Sequence, residues 1–199
     1  MPSAAIDLPA LLGSRICHDL ISPLGAIGNG VELLHMSGST VGPEVALISE
    51  SIENANARIR FFRIAFGSSA PGQTVGRNEI NGILNDMLQG SRLKITWSPD
   101  GDLPRGDVKL IFLLLMCLET SLPYGGRIDV TLSEGAWRLS ATADKVRLDP
   151  AIWALAAGGG AETEITPALV HFALVAPSLT SQNRTLSTDL TDQRIDLRV

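Results

Sequence analysis

His18 has the clearest chemical potential in this chain; Cys17 and Asp19 flank it and Arg15 stands one helical turn before it. An imidazole with an unperturbed pKa of about 6.5 carries, at neutral pH, the free lone pair that a nucleophile for phosphoryl transfer needs. Asp19 is placed to hydrogen-bond a ring N–H, orient the ring and stabilise the cation formed as phosphorus arrives or leaves. Equally, it is an ordinary carboxylate on a helix surface. Arg15, on a neighbouring meridian, is within reach of a phosphoryl group on the ring, or is a solvated arginine. Ser14, Ser22, Gly25 and Asn29 share the outward face of His18, so small side chains surround the imidazole and another protein can approach closely.

Other candidates carry less. Cys17 and His18 do not make a metal pair, because neighbours on a helix point about 100° apart and no further ligand cluster accompanies them. His35 falls in the last turn of its helix, where the dipole favours a cation. His171, within ALVHFALV, reads as part of a packed helix, and Arg58, Arg60 and Arg63 form a basic patch that either attracts the acidic pocket of a partner or, as the default, is a solvated helical face.

The elements that position His18 are legible from hydrophobic spacing. Leu8, Leu12, Ile16, Leu20, Leu24, Ile27, Val31 and Leu34 recur at helical intervals, which predicts a long amphipathic helix with His18 opposite the stripe. Asp7 is placed to cap it and Pro9 fits its first turn. Pro23, inside the helix, removes one hydrogen bond near the histidine at a typical cost of ~3 kcal/mol. The Ser37-Gly38-Ser39-Thr40 cluster breaks the pattern. A second helix from Pro43 carries Val45, Ile48, Ile52, Ala55, Ile59, Phe62 and Phe66 and ends at Gly67. Two such helices cannot cover their own stripe, so a dimeric four-helix bundle is expected. Phe61 projects away from that stripe, towards either a docking partner or the second domain.

Residues 1–67 are therefore read as a helical hairpin, residues 68–77 (SSAPGQTVGR) as a linker and residues 78–199 as a second domain that mixes helices and strands. The fold class is α+β. Predicted helices lie near 78–89, 107–120, 150–157 and 167–178, and strands near 93–98, 127–133, 137–143, 184–190 and 194–199. The chain has 199 residues, 45% of them hydrophobic, with 16 basic against 21 acidic residues and a net charge of −5. No basic block exists to release counterions from nucleic acid, so nucleic acid is not an expected partner. Two distant cysteines, Cys17 and Cys117, suit a reducing cytoplasm rather than a disulfide framework. The opening MPSAAIDLPALLG has no basic start followed by an apolar core, and no apolar run is long enough for a membrane span, so no membrane association is expected.

His18-Asp19-Leu20-Ile21-Ser22-Pro23-Leu24 resembles the phosphoacceptor box of sensor histidine kinases. The longer string SRICHDLISPLGAIGNGVELL, Ser14 to Leu34, is similar to that of the ChpT-type histidine phosphotransferases. This resemblance implies a dimerisation and phosphotransfer hairpin followed by a histidine-kinase ATPase-like α/β sandwich that no longer binds nucleotide. Where a kinase would carry its metal-binding Asn before the Pro-x-Gly-Gly turn, this chain has Cys117. Where the Asp and first Gly of an adenine-binding Asp-x-Gly-x-Gly box would fall, it has Ala141 and Ala143. Gly158-Gly159-Gly160 is followed by Ala161-Glu162-Thr163-Glu164, whose carboxylates would repel phosphates, so it reads as a loop.

The resemblance implies a homodimeric phosphorelay intermediate. His18, with Asp19 and Arg15, would relay a phosphoryl group between receiver domains of a hybrid histidine kinase and of response regulators. It implies no cofactor of its own, with Mg²⁺ on the partner receiver. An ATP-dependent kinase and a non-catalytic dimer that sequesters regulators are the rival readings.

Overall fold

The computed structural model describes residues 7–37, 42–159 and 164–199. Two helices, α1 (Leu8–Ser37) and α2 (Pro43–Ala65), form the hairpin. The Asp7 carboxylate accepts the Ala10 amide at 3.1 Å, which satisfies one orphan donor of the first turn. The helices approach closely at Gly30, where a Cβ would come within 2.6 Å of Ile48 Cγ1. Of the expected break, Gly38 to Thr40 lie outside the described residues.

The second domain is a sheet with helices packed on it. Its strands are β2 (Leu93–Trp97), β4 (Gly126–Ser133), β5 (Ala136–Thr142), β6 (Ser187–Leu190) and β7 (Arg194–Arg198), in the order β2-β4-β5-β7-β6. β2 and β4 run parallel and the other pairs are antiparallel. Ile128, Val130, Leu139, Ala141, Ile195 and Leu197 alternate onto one buried face, as a sheet covered on one side requires. The two-residue turn between β4 and β5 places Glu134 and Gly135 at φ 52° and 79°, the primed-turn geometry that matches strand twist.

Against that face lie α3 (Arg77–Met87), α4 (Arg105–Ser121), α5 (Pro150–Ala156) and α6 (Val170–Ser181), the last preceded by a 3₁₀ turn at Pro167–Leu169. α4 is apolar all round and lies in the core, with Leu110 to Leu118 buried without a break. The helix expected from Pro167 begins as this tighter turn and becomes α-helical from Val170.

The expected linker is not without regular structure. Its Thr74–Gly76 segment is β1, paired antiparallel with β3 (Asp102–Pro104), and α3 already begins at Arg77. A three-residue strand among glycines and prolines has no room to display alternation, so it leaves no pattern to read.

α2 is anchored to the second domain. Phe61 is buried and stacks on Phe112 of α4, with ring centroids 4.5 Å apart and planes 10° apart. The aromatic contacts continue through Trp97 to Trp137. Of the two expectations for Phe61, inter-domain packing is the one found. The end of α2 is also held electrostatically: Arg105 donates to the carbonyls of Arg63 (2.6 Å) and Ser68 (3.1 Å), and Lys109 to that of Gly67 (2.8 Å). Cations at a helix C-terminus satisfy its orphan carbonyls and oppose its dipole. Among the described residues no helix is long and apolar enough to cross a membrane.

Candidate functional site

His18 lies on the outer surface of α1, with 86% of its side chain exposed. Its Nδ1 lies 3.1 Å from Oδ1 of Asp19, whose carboxylate is only 9% exposed. The ring is thus open to a partner while its hydrogen-bond partner is shielded. With Asp19 ionised, the Nδ1 contact is a donated N–H, which leaves Nε2 as the outward lone pair. Ser14, Ser22, Gly25 and Asn29 are all exposed, and a Cβ added at Gly25 would meet nothing within 4 Å.

The other carboxylate oxygen faces inward. Oδ2 of Asp19 accepts Nε of Arg15 at 2.7 Å, and Nη1 of Arg58 stands 3.9 Å from the same oxygen. Arg58 is itself steadied by Asn54 Oδ1 at 3.0 Å. Arg15 extends further and donates from Nη1 to the carbonyl of Ala168, in the 3₁₀ turn of the second domain, at 2.7 Å. The site therefore lies where α1, α2 and the second domain meet. All three sequence candidates come together there, but the guanidinium of Arg15 is turned to Asp19 and Ala168.

The second domain lines the inner side of this cluster. His171, at the start of α6, is fully buried, and its Nε2 is 3.1 Å from Oγ1 of Thr120. Its Nδ1 has no partner among the described residues. Burial, helped by nearby Arg15, pushes the His171 pKa down to about 3, and Asp19 offsets this in part. Glu119 reaches solvent, yet desolvation by the protein around its carboxyl raises it above its ordinary range, Arg15 and Arg58 pull it back, and Asp19 adds to the rise.

Sequence reasoning found His18, Asp19 and Arg15, and placed His171 in a packed helix. It missed that Arg58, Glu119, Thr120 and Ala168 gather behind them, because contacts between distant segments leave no local spacing. The basic face on α2 acquires acidic partners. Arg58 faces Asp19, Arg60 pairs with Asp86, and Arg63 pairs with Glu79 at 3.4 Å. The two last carboxylates belong to α3, and the side chains of Arg60 and Arg63 remain 43% and 64% exposed, so this part of the face is solvated as well as charge-paired.

Cys117 and Ala141 are fully buried within α4 and β5, and burial raises the Cys117 thiol well above its ordinary range. Of the glycine run, Gly160 and the following Ala161 to Thr163 lie outside the described residues.

Comparison with known proteins places the chain among relatives. The "Protein phosphotransferase ChpT" of Brucella abortus (strain 2308) is 40% identical over 131 residues, which is 65% of this chain and 62% of that protein. The matched stretch thus spans less than two thirds of the curated relative. A solved structure described as a bacterial phosphotransferase is 30% identical, superposes with a TM-score of 0.78, and the match covers 100% of this chain and 98% of that one. The histidine kinase domain of a blue-light activated kinase from Erythrobacter litoralis aligns over 97% of this chain and 92% of its own, at 12% identity and a TM-score of 0.45. The profile of the histidine phosphotransferase C-terminal domain matches residues 77–194, more than half of the chain, and the chain therefore belongs to the histidine phosphotransferase family that this domain defines.

Proposed function

We propose that this protein relays phosphoryl groups in a two-component phosphorelay, with His18 as the covalent carrier. The observation that carries this reading is an exposed imidazole whose Nδ1 is engaged by a shielded carboxylate. Nε2 attacks the phosphorus of an aspartyl phosphate on a receiver domain. The P–N bond forms, the acyl P–O bond breaks, and the receiver aspartate leaves as a carboxylate. The ring becomes a phosphoimidazolium whose Nδ1–H stays hydrogen-bonded to Asp19, so the new positive charge meets a fixed negative one. Transfer to a second receiver reverses these steps. Phosphoryl transfer needs alignment and charge stabilisation more than extra covalent chemistry, and the receiver supplies the Mg²⁺.

The partners are receiver domains, one in a hybrid histidine kinase and others in response regulators, together in the cytoplasm. The hairpin (residues 1–67) carries the transfer, and residues 78–199 brace it. A second copy of the chain completes the bundle. Leu24 and Val31 on α1, and Val45, Ile52 and Ile59 on α2, are exposed at heptad spacing, a seam that an identical hairpin covers.

The test supplies wild type and His18→Gln with a radiolabelled phospho-receiver, and separately with labelled ATP alone. Acid-labile label on wild type from the receiver only, and none on the variant, is the expected result. Label from ATP alone would indicate a kinase, and no label from any receiver would favour a non-catalytic dimer.

A further inference from the structure

A chain of three hydrogen bonds runs from the second domain to the phosphoacceptor ring. The Ala168 carbonyl accepts Nη1 of Arg15 at 2.7 Å, Nε of Arg15 donates to Oδ2 of Asp19 at 2.7 Å, and Oδ1 of Asp19 faces His18 Nδ1 at 3.1 Å. Arg15 is only 19% exposed and Asp19 only 9%. A planar guanidinium with two of its edges committed cannot swing without breaking one of these bonds. We infer that Arg15 is a positioning residue through which the second domain selects the reactive tautomer of His18. This rests on the phosphotransfer reading above.

The argument is about which ring nitrogen carries the proton. A neutral histidine holds its proton on either nitrogen, and the hydrogen bond made by one nitrogen decides the state of the other. Nucleophilic attack through the exposed Nε2 requires the proton on Nδ1, and Asp19 is the acceptor that keeps it there. Asp19 has freedom to rotate about its own side-chain torsions unless its second oxygen is tethered. Arg15 supplies that tether, Arg58 adds a weaker one at 3.9 Å, and the 3₁₀ turn of Pro167–Leu169 supplies the seat for Arg15. The seat comes from the domain that follows the hairpin, which gives that domain a part in the chemistry without touching the phosphoryl group.

The test uses full-length ¹⁵N-labelled protein above the titration range of imidazole, with the His18 ring signals identified by their loss in His18→Gln. Long-range ¹H–¹⁵N correlation distinguishes the Nδ1–H from the Nε2–H tautomer. Wild type is expected in the Nδ1–H form. Arg15→Lys keeps the charge but loses the fork, and should move the ring towards the Nε2–H form while slowing transfer from a phospho-receiver at least ~10-fold, short of the ~10²–10⁴-fold of a group that itself moves the proton. Pro167→Gly, which loosens the Ala168 turn and leaves Arg15 itself unchanged, should shift the tautomer in the same direction. Near-ultraviolet circular dichroism verifies packing, and Pro167→Gly carries the test if Arg15→Lys does not fold.

Slowed transfer with an unchanged tautomer would overturn the inference, since Arg15 would then act on the phosphoryl group itself. An unchanged rate and tautomer would overturn it also. A shifted tautomer in a protein that takes no label from any receiver would uphold the coupling and reject the phosphotransfer reading instead.

Discussion

Replacing His171 by glutamine removes a titration without removing the bond that the side chain makes. Thr120 Oγ1 gives its own proton to the carbonyl of Met116 at 2.9 Å, so the contact with His171 is one in which Nε2–H donates. The remaining nitrogen, Nδ1, is buried and has no partner among the described residues. Protonation would bury a cation there with no acceptor, which is why the folded-state pKa falls to about 3 from the ordinary 6.5. Below about pH 6.5 the unfolded chain binds a proton that the folded chain refuses, so stability is lost as pH falls from about 6.5 towards about 3, and is unaffected by this group above that window. At about pH 5 the gap is about one and a half pH units at about 1.4 kcal/mol each, or about 2 kcal/mol. Urea unfolding at about pH 7.5 and about pH 5 should therefore show wild type losing about 2 kcal/mol more than His171→Gln over the same interval. Equal losses in the two proteins would refute the reasoning, because carboxylates titrate alike in both.

Asp19→Asn keeps the shape but removes the charge that holds Nδ1–H and balances two arginines; single-turnover transfer from a phospho-receiver should slow ~10²-fold while the thermal melt stays cooperative. Phe61→Ala deletes a buried ring stacked at 4.5 Å on Phe112 and should cost about 3–5 kcal/mol in urea unfolding; a loss under 1 kcal/mol would mean the stack does not join the two parts. Ile52→Glu, placing a charge in the exposed heptad seam of α2, should convert a dimer to a monomer by light scattering, whereas Glu53→Lys beside it should not. If wild type is itself monomeric at micromolar concentration, the bundle reading fails.

The sequence made α1, α2 and the sheet legible because each is governed by a local period, 3.6 residues for one and 2 for the other. The cap at Asp7, the exposed His18 and its Asp19 neighbour followed from the same spacing. β1 and β3 were not legible, since three residues carry no period. Nor was the inner half of the site, where Ala168 offers a backbone carbonyl that any residue would provide. The arginines of α2 were legible as a solvated face, but their partners were not: the carboxylates of α3 lie some twenty residues further on, and only the tertiary fold places them opposite. Phe61 was ambiguous because its direction is set by the helix, but its partner is set by the tertiary fold.

The seating of α1 on Ala168 has a mechanical side. The helix has 30 residues and so extends about 45 Å, yet it is pinned at Arg15, only one turn from His18. A tilt of about 10° about that pin would swing the far end, some 33 Å away, through about 6 Å, while His18 would move by less than about 1 Å. On the phosphotransfer reading proposed above, His18 thus sits beside the fulcrum of a long lever. On that reading, receivers of different shape displace the distal end of the hairpin and still find the imidazole in the same place.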